Sequence, residues 1–207
     1  MLQQTLNCAW TLRQNGTAEG IPASVPGSVY ADLMAAGRLD DPFWRDNEMA
    51  ALKLMENDYT YTRHFQVSEA LLSCARVLLR CEGLDTLACV SVNGASVGKA
   101  DNMHRIWEWD VKRLLREGEN TIEIAFSSPT RYIQAAYREN RADGTTDAME
   151  GFPLLRKAHC MFGWDWGPRL PDMGVWRDIS LLGVENGRIL GVHIRQLHEN
   201  GAVRLSV

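Results

Sequence analysis

The clearest order along the chain has period two. In YTYTRHFQV (59–67), Tyr59, Tyr61, Phe65 and Val67 fall on one face, while Thr60, Thr62, His64 and Gln66 fall on the other. Ala88, Val90 and Val92 alternate in the same way with Leu87, Cys89 and Ser91. Asn93-Gly94 then supplies the two positive-φ residues that a tight hairpin needs. Ile122, Ile124 and Phe126 repeat the scheme against Thr121, Glu123 and Ala125, and VWRDISLLGV (175–184) adds a strand after Gly174. Short strands separated by turn chemistry predict an all-β fold, an antiparallel β-sandwich.

Three short helical patterns interrupt the strands. The first has Ser28 as N-cap, apolar positions at Val29, Leu33 and Ala36, and Gly37 as the stop. DVKRLLREGEN predicts a second, with Asp110 as N-cap, Leu114 and Leu115 turned inward and Gly118 as terminator. A third starts at Pro129, where Tyr132 and Ala136, and likewise Ile133 and Tyr137, lie one turn apart. Residues 140–152 show no period and are read as a loop long enough to carry function. The strand pattern stops at Val184, Asn186-Gly187 makes a turn, and a new alternation begins with Val192 and Ile194 before Asn200-Gly201 turns it back. Because a lone hairpin is only marginally stable, the chain divides into a domain over 1–185 and the opening of a second β domain over 186–207.

Composition narrows the function. At 207 residues the chain can bury one large core, and a net charge of −4 offers no electrostatic footprint for nucleic acid or an anionic membrane. No apolar run approaches the roughly 20 residues of a membrane helix, and MLQQTLNCAW lacks the basic and apolar regions of a signal peptide. Five cysteines, mostly inside apolar runs, read as reduced core thiols of a cytoplasmic protein. Neither His159-Cys160, nor the spacing of Cys74, Cys81 and Cys89, nor the scattered His64, His104 and His193 matches a zinc pattern, and Cys160 is read as a buried thiol. The reading calls for no metal and no cofactor.

HCMFGWDWGPRL (159–170) holds the unusual chemistry: two tryptophans flank one aspartate between glycines. One interpretation is structural, with core tryptophans and Asp165 bonding a loop. The other is carbohydrate recognition, in which an indole covers the apolar C–H face of a pyranose and a carboxylate accepts from neighbouring hydroxyls. A kink at Gly163 or Gly167-Pro168 could turn Trp164 and Asp165 to one side, with Trp166 expected to pack in the core. Trp107 and Trp109 share a strand face opposite Glu108, which suggests core packing, whereas Asn102 precedes that strand in a loop.

Five ordered blocks, IPASVPGSVYADLMAAGRLDDPFWRDNE, YTYTRHFQV, VSVNGASVGKADNMHRIWEWDV, LREGENTIEIAFSSP and RKAHCMFGWDWGPRLPDMGVWRDISL, resemble the N-terminal domain of β-mannosidases. Those enzymes form a retaining glycoside hydrolase group with β-galactosidase and β-glucuronidase, and the FGWDWGPRL block favours the mannosidase branch. The resemblance implies a jelly-roll sugar-binding sandwich over 1–185, then an immunoglobulin-like sandwich that begins at 186–207, then a TIM barrel with two catalytic glutamates about 5–5.5 Å apart. It also implies a β-mannoside or manno-oligosaccharide substrate, with Trp164 and Asp165 reaching the terminal mannose and Asn102 as a further contact. His104 departs from the aromatic that usually follows NM in the family. Residues 186–207 cannot hold a barrel, so no catalytic residue is expected in this chain and turnover by itself is not expected. A stand-alone lectin-like module, a scaffold with the tryptophans buried, and the same domain of a β-galactosidase or β-glucuronidase are the alternatives.

Overall fold

The computed structural model describes residues 2–207. Its strands are β1 (Leu2–Thr5), β2 (Trp10–Gln14), β3 (Gly20–Ala23), β4 (Tyr59–Val67), β5 (Arg76–Cys81), β6 (Leu84–Asp85), β7 (Leu87–Val92) and β8 (Ala95–Asp101). There follow β9 (Trp107–Asp110), β10 (Gly118–Phe126), β11 (Phe162–Trp164), β12 (Gly167–Arg169), β13 (Gly174–Val175), β14 (Ile179–Val184), β15 (Arg195–Glu199) and β16 (Ala202–Ser206). Four short helices, α1 (Val29–Ala35), α2 (Glu48–Leu54), α3 (Glu69–Ser73) and α4 (Pro129–Glu139), lie between them.

One sheet runs β3-β2-β4-β10-β7-β8 and the other β1-β14-β5-β9, with every pairing antiparallel. The apolar files seen in the sequence are what the two sheets bury between them. Ile124 lies opposite Tyr61 on one side and Val90 on the other, and all three are buried. Val77, Leu79, Ile179 and Leu181 of the smaller sheet close the same core. Tyr61 meets Trp10 and Phe126 edge-on, at centroid distances of 6.4 and 5.8 Å. Asn93 and Gly94 take φ of 51° and 79°, as a two-residue hairpin turn requires. The result is a jelly-roll sandwich with a few short helices. β15 and β16 pair only with each other among the described residues, and all their side chains are exposed.

Two of the expected helices form, the first with its expected cap and the second with a cap at Ser128 that was not among the expectations. The Ser28 hydroxyl accepts from the Ala31 amide at the start of α1, and the Ser128 hydroxyl accepts from the Arg131 amide ahead of Pro129 in α4. The helix expected over 110–118 does not form. Asp110 is held in β9 opposite Leu78, Val111 is buried with its amide on Val77, and only one 3-10 turn, Lys112–Leu114, follows. The Asn120 side chain, which accepts from the Arg116 amide and donates to the Arg116 and Gly118 carbonyls, ties that segment into a loop. Sheet pairing on one side and this amide clamp on the other outweigh a weak helical preference.

The expectation of core thiols holds for Cys74 and Cys81 and fails for Cys8, Cys89 and Cys160, which are exposed. Strand alternation puts Cys89 outside while Val90 points in, and Cys160 lies in a 3-10 turn, His159–Met161, at the edge of the sandwich. Burial pushes the Cys81 thiol well above its ordinary range.

Candidate functional site

The Trp-Asp-Trp segment is the tip of a hairpin. Phe162 pairs with Arg169 and Trp164 with Gly167, which leaves Asp165 and Trp166 as the two turn residues. The kink is at Gly163, whose φ is +95° and where a Cβ would lie 2.5 Å from Cγ of Arg169; Gly167 has open space around it. Because the chain reverses immediately after Trp164, the two indoles meet, with centroids 5.3 Å apart and planes at 46°. Trp164 is 46% exposed and Trp166 is 80% exposed, and Asp165 between them is exposed too. None of the ion pairs among the described residues uses the Asp165 carboxylate. The expectation that Trp166 packs in the core is therefore corrected: at a turn that leaves the sandwich there is no apolar wall for it to join.

The root of the hairpin is firmly held. Phe162 is fully buried against Ile133 of α4, Phe152 and Leu155. Glu48, at the start of α2, accepts from Nε of Arg169 at 2.5 Å and from the Arg169 amide at 3.2 Å. The Leu170 amide donates to the Met161 carbonyl at 2.8 Å. Beside this root, Tyr30, Met34, Phe43, Met161, Pro168 and Asp172 line a cavity of about 380 Å³.

Deeper in, a fully buried Lys157 is paired with the Asp85 carboxylate and donates to the Asp172 carbonyl at 2.7 Å. The Asp172 carboxylate accepts from the Tyr30 amide at 3.0 Å and the Met173 amide at 2.8 Å. Burial pushes the Asp172 carboxyl up to about 6, outweighing these hydrogen bonds and the nearby Lys157 charge, which pull it down. Desolvation likewise lowers the Lys157 ammonium from its ordinary value, opposed by Asp85. Sequence patterning missed this group. Its members carry no local signal: Lys157 and Asp172 lie on either side of a stretch that itself holds His159, Asp165 and Arg169, and nothing in the spacing links them to Asp85.

Asn102 follows β8, and its side-chain oxygen accepts from the His104 amide at 2.9 Å, an Asx turn that shapes the loop. Its backbone bridges to Arg156, and the Met103 amide donates to the Arg156 carbonyl at 3.0 Å, so this loop is joined to the residues just before the hairpin excursion. Trp107 and Trp109 stack at 5.8 Å and pack against the core, as expected. A larger groove of about 810 Å³ lies along Cys89, Lys99, Asp101, Arg131 and Trp107, but the Trp107 ring is taken up by Trp109 and the Arg105 guanidinium. Glu108 is held below the usual carboxylate range by its hydrogen bond from Arg188, helped by Arg80. Among the described residues no group of three or more His, Cys, Asp or Glu side chains is placed to hold a metal, and no helix is long and apolar enough to cross a membrane.

The fold is thus a two-sheet sandwich that carries an exposed aromatic–acidic hairpin tip. Residues 10–177 match the family described as glycosyl hydrolase 2 galactose-binding domain-like, and the chain belongs to that family. It is similar to β-mannosidase from Bos taurus, 30% identical over 180 residues that cover 83% of this chain and 20% of that protein. β-Mannosidase B from Aspergillus terreus is 35% identical over 190 residues, 86% of this chain and 22% of the relative. The chain thus spans about a fifth of the length of these relatives. Among solved structures, a β-D-mannosidase from Dictyoglomus thermophilum superposes with a TM-score of 0.93 at 32% identity, over 99% of this chain and 25% of that one. An exo-chitosanase from Amycolatopsis orientalis, 18% identical with a TM-score of 0.69 over 96% of this chain and 22% of that one, shares the fold.

Proposed function

We propose that this chain is the non-catalytic N-terminal domain of a retaining β-mannosidase and supplies Trp164 and Asp165 to the subsite for the terminal, non-reducing β-D-mannose. Asp165 accepts hydrogen bonds from distal sugar hydroxyls, and Trp164 walls the apolar face of the ring. The catalytic carboxylates belong to a barrel domain outside this chain, and the hairpin β15–β16 opens the immunoglobulin-like domain between them. One observation carries the reading: the Trp164-Asp165 tip is exposed and its carboxylate is in no ion pair among the described residues, on a domain similar throughout to a β-D-mannosidase. A scaffold role would instead bury the tip or give the carboxylate a partner. A self-sufficient lectin site encloses most of its ligand, whereas an isolated two-residue turn offers one wall.

The experiment is steady-state hydrolysis of 4-nitrophenyl β-D-mannopyranoside by the full protein that carries this domain, with Asp165→Ala and Trp164→Ala. A charged hydrogen-bond acceptor contributes about 1.5–3 kcal/mol, so Asp165→Ala should lower kcat/KM by about 10- to 100-fold at an unchanged melting temperature. Unchanged kcat/KM refutes the subsite; equal losses of stability and activity support the scaffold.

A further inference from the structure

We propose that Lys157 is a positioning residue: its buried ammonium closes the two ends of the 157–172 excursion onto Asp85 and so fixes where the Trp164–Asp165 tip stands. The inference rests on the sugar-subsite reading above.

Lys157 precedes the hairpin and Asp172 follows it, so the hairpin lies wholly between them. One ammonium joins both ends, since Nζ of Lys157 donates to the Asp172 carbonyl at 2.7 Å while pairing with the Asp85 carboxylate. Asp85 belongs to β6, whose partner strand β13 begins at Gly174, directly opposite it. The departing end, the returning end and the short β6–β13 ladder therefore meet at one point. Arg156 carries the Asn102–Met103 loop on its backbone, and the Asp172 carboxylate caps the Tyr30 and Met173 amides, so the same point also fixes α1 and the Asn102 loop.

The Lys157 side chain has no exposed surface and that of Asp85 is 4% exposed. Two desolvated charges are a poor way to gain stability, because an apolar pair of the same volume does as well or better. What an ion pair supplies is direction: the ammonium is satisfied in one arrangement of its acceptors, and sliding either end of the excursion leaves a buried charge unpaired. A tip seven residues out from either anchor magnifies any slip at the root, and displacement of a contact group by about 1 Å can cost on the order of 100-fold in rate.

The test uses the full protein, with Lys157→Met and with Lys157→Met combined with Asp85→Asn, which removes the Asp85 charge that the single variant strands, in case that variant folds poorly. Hydrogen exchange should accelerate at least about tenfold in residues 158–171, with β4 and β10 as protected as before. kcat/KM for 4-nitrophenyl β-D-mannopyranoside should fall about tenfold, and the fall should be clearly smaller when Lys157→Met is introduced into an Asp165→Ala background. Unchanged exchange in 158–171 overturns the clamp. A loss of activity that adds fully to that of Asp165→Ala overturns the positioning role and leaves the subsite standing. An Asp165→Ala protein with undiminished kcat/KM overturns the subsite and the positioning role with it, while the exchange result still decides whether Lys157 clamps the excursion.

Discussion

Asp172 should make this domain less stable as the pH rises from about 4 to about 7, the reverse of ordinary acid denaturation. Its carboxylate is buried on the Tyr30 and Met173 amides, and burial raises it from 3.8 to about 6. The folded chain therefore holds the proton more tightly than the unfolded chain does. The stability that the protonated form contributes is fully present below about 3.8 and is lost as the pH rises through about 6. A difference of about 2 units at about 1.4 kcal/mol each gives about 3 kcal/mol across the window. The assay is a series of urea unfolding curves from about pH 4 to about pH 7 on the wild type and on Asp172→Asn, whose amide oxygen still serves both backbone donors. Other carboxylates, such as Glu108 with its depressed value, titrate equally in both proteins and cancel in the difference. The wild type should lose about 3 kcal/mol relative to the variant between those limits. A flat difference curve, or one that slopes the other way, would show that Asp172 is not a desolvated carboxylate.

Further outcomes are expected around the hairpin. Gly163→Ala forces a Cβ into the left-handed region and against Cγ of Arg169 at 2.5 Å; thermal melts should show a loss of about 2 kcal/mol, and an undiminished midpoint would place the kink elsewhere. Phe162→Ala removes a fully buried ring from the hairpin root and should cost about 3–5 kcal/mol, whereas Trp166→Ser at the 80% exposed tip should stay within about 0.5 kcal/mol of wild type. Titration of the 207-residue chain with mannose, followed by tryptophan fluorescence, should show no binding tighter than about 1 mM. Tighter binding that Asp165→Ala abolishes would make the domain a sugar-binding module in its own right.

Local chemistry made much of the sandwich legible in advance. A strand exposes alternate residues to alternate faces, so Tyr59, Tyr61, Phe65 and Val67 announced their burial through their spacing alone. Asn93-Gly94, the cap at Ser28 and the helix start at Pro129 were equally readable, since each satisfies a backbone requirement within a few residues of itself. The Trp164-Asp165-Trp166 segment could be singled out, and a kink at Gly163 could be named as one option, because glycine alone enters that φ region freely.

Whatever depended on distant partners was decided by the tertiary structure. The segment after Asp110 reads as a helix until the Val111 amide finds the Val77 carbonyl and Asn120 clamps the following loop. Trp166 reads as core until the turn is seen to leave the sandwich, because hydrophobicity states a preference for burial without supplying a wall. Lys157 lies 72 residues from Asp85 and 15 from Asp172, and no local pattern joins the three. Only the folded sandwich takes them out of water together, and a charge can be buried only where its partner is already held in place.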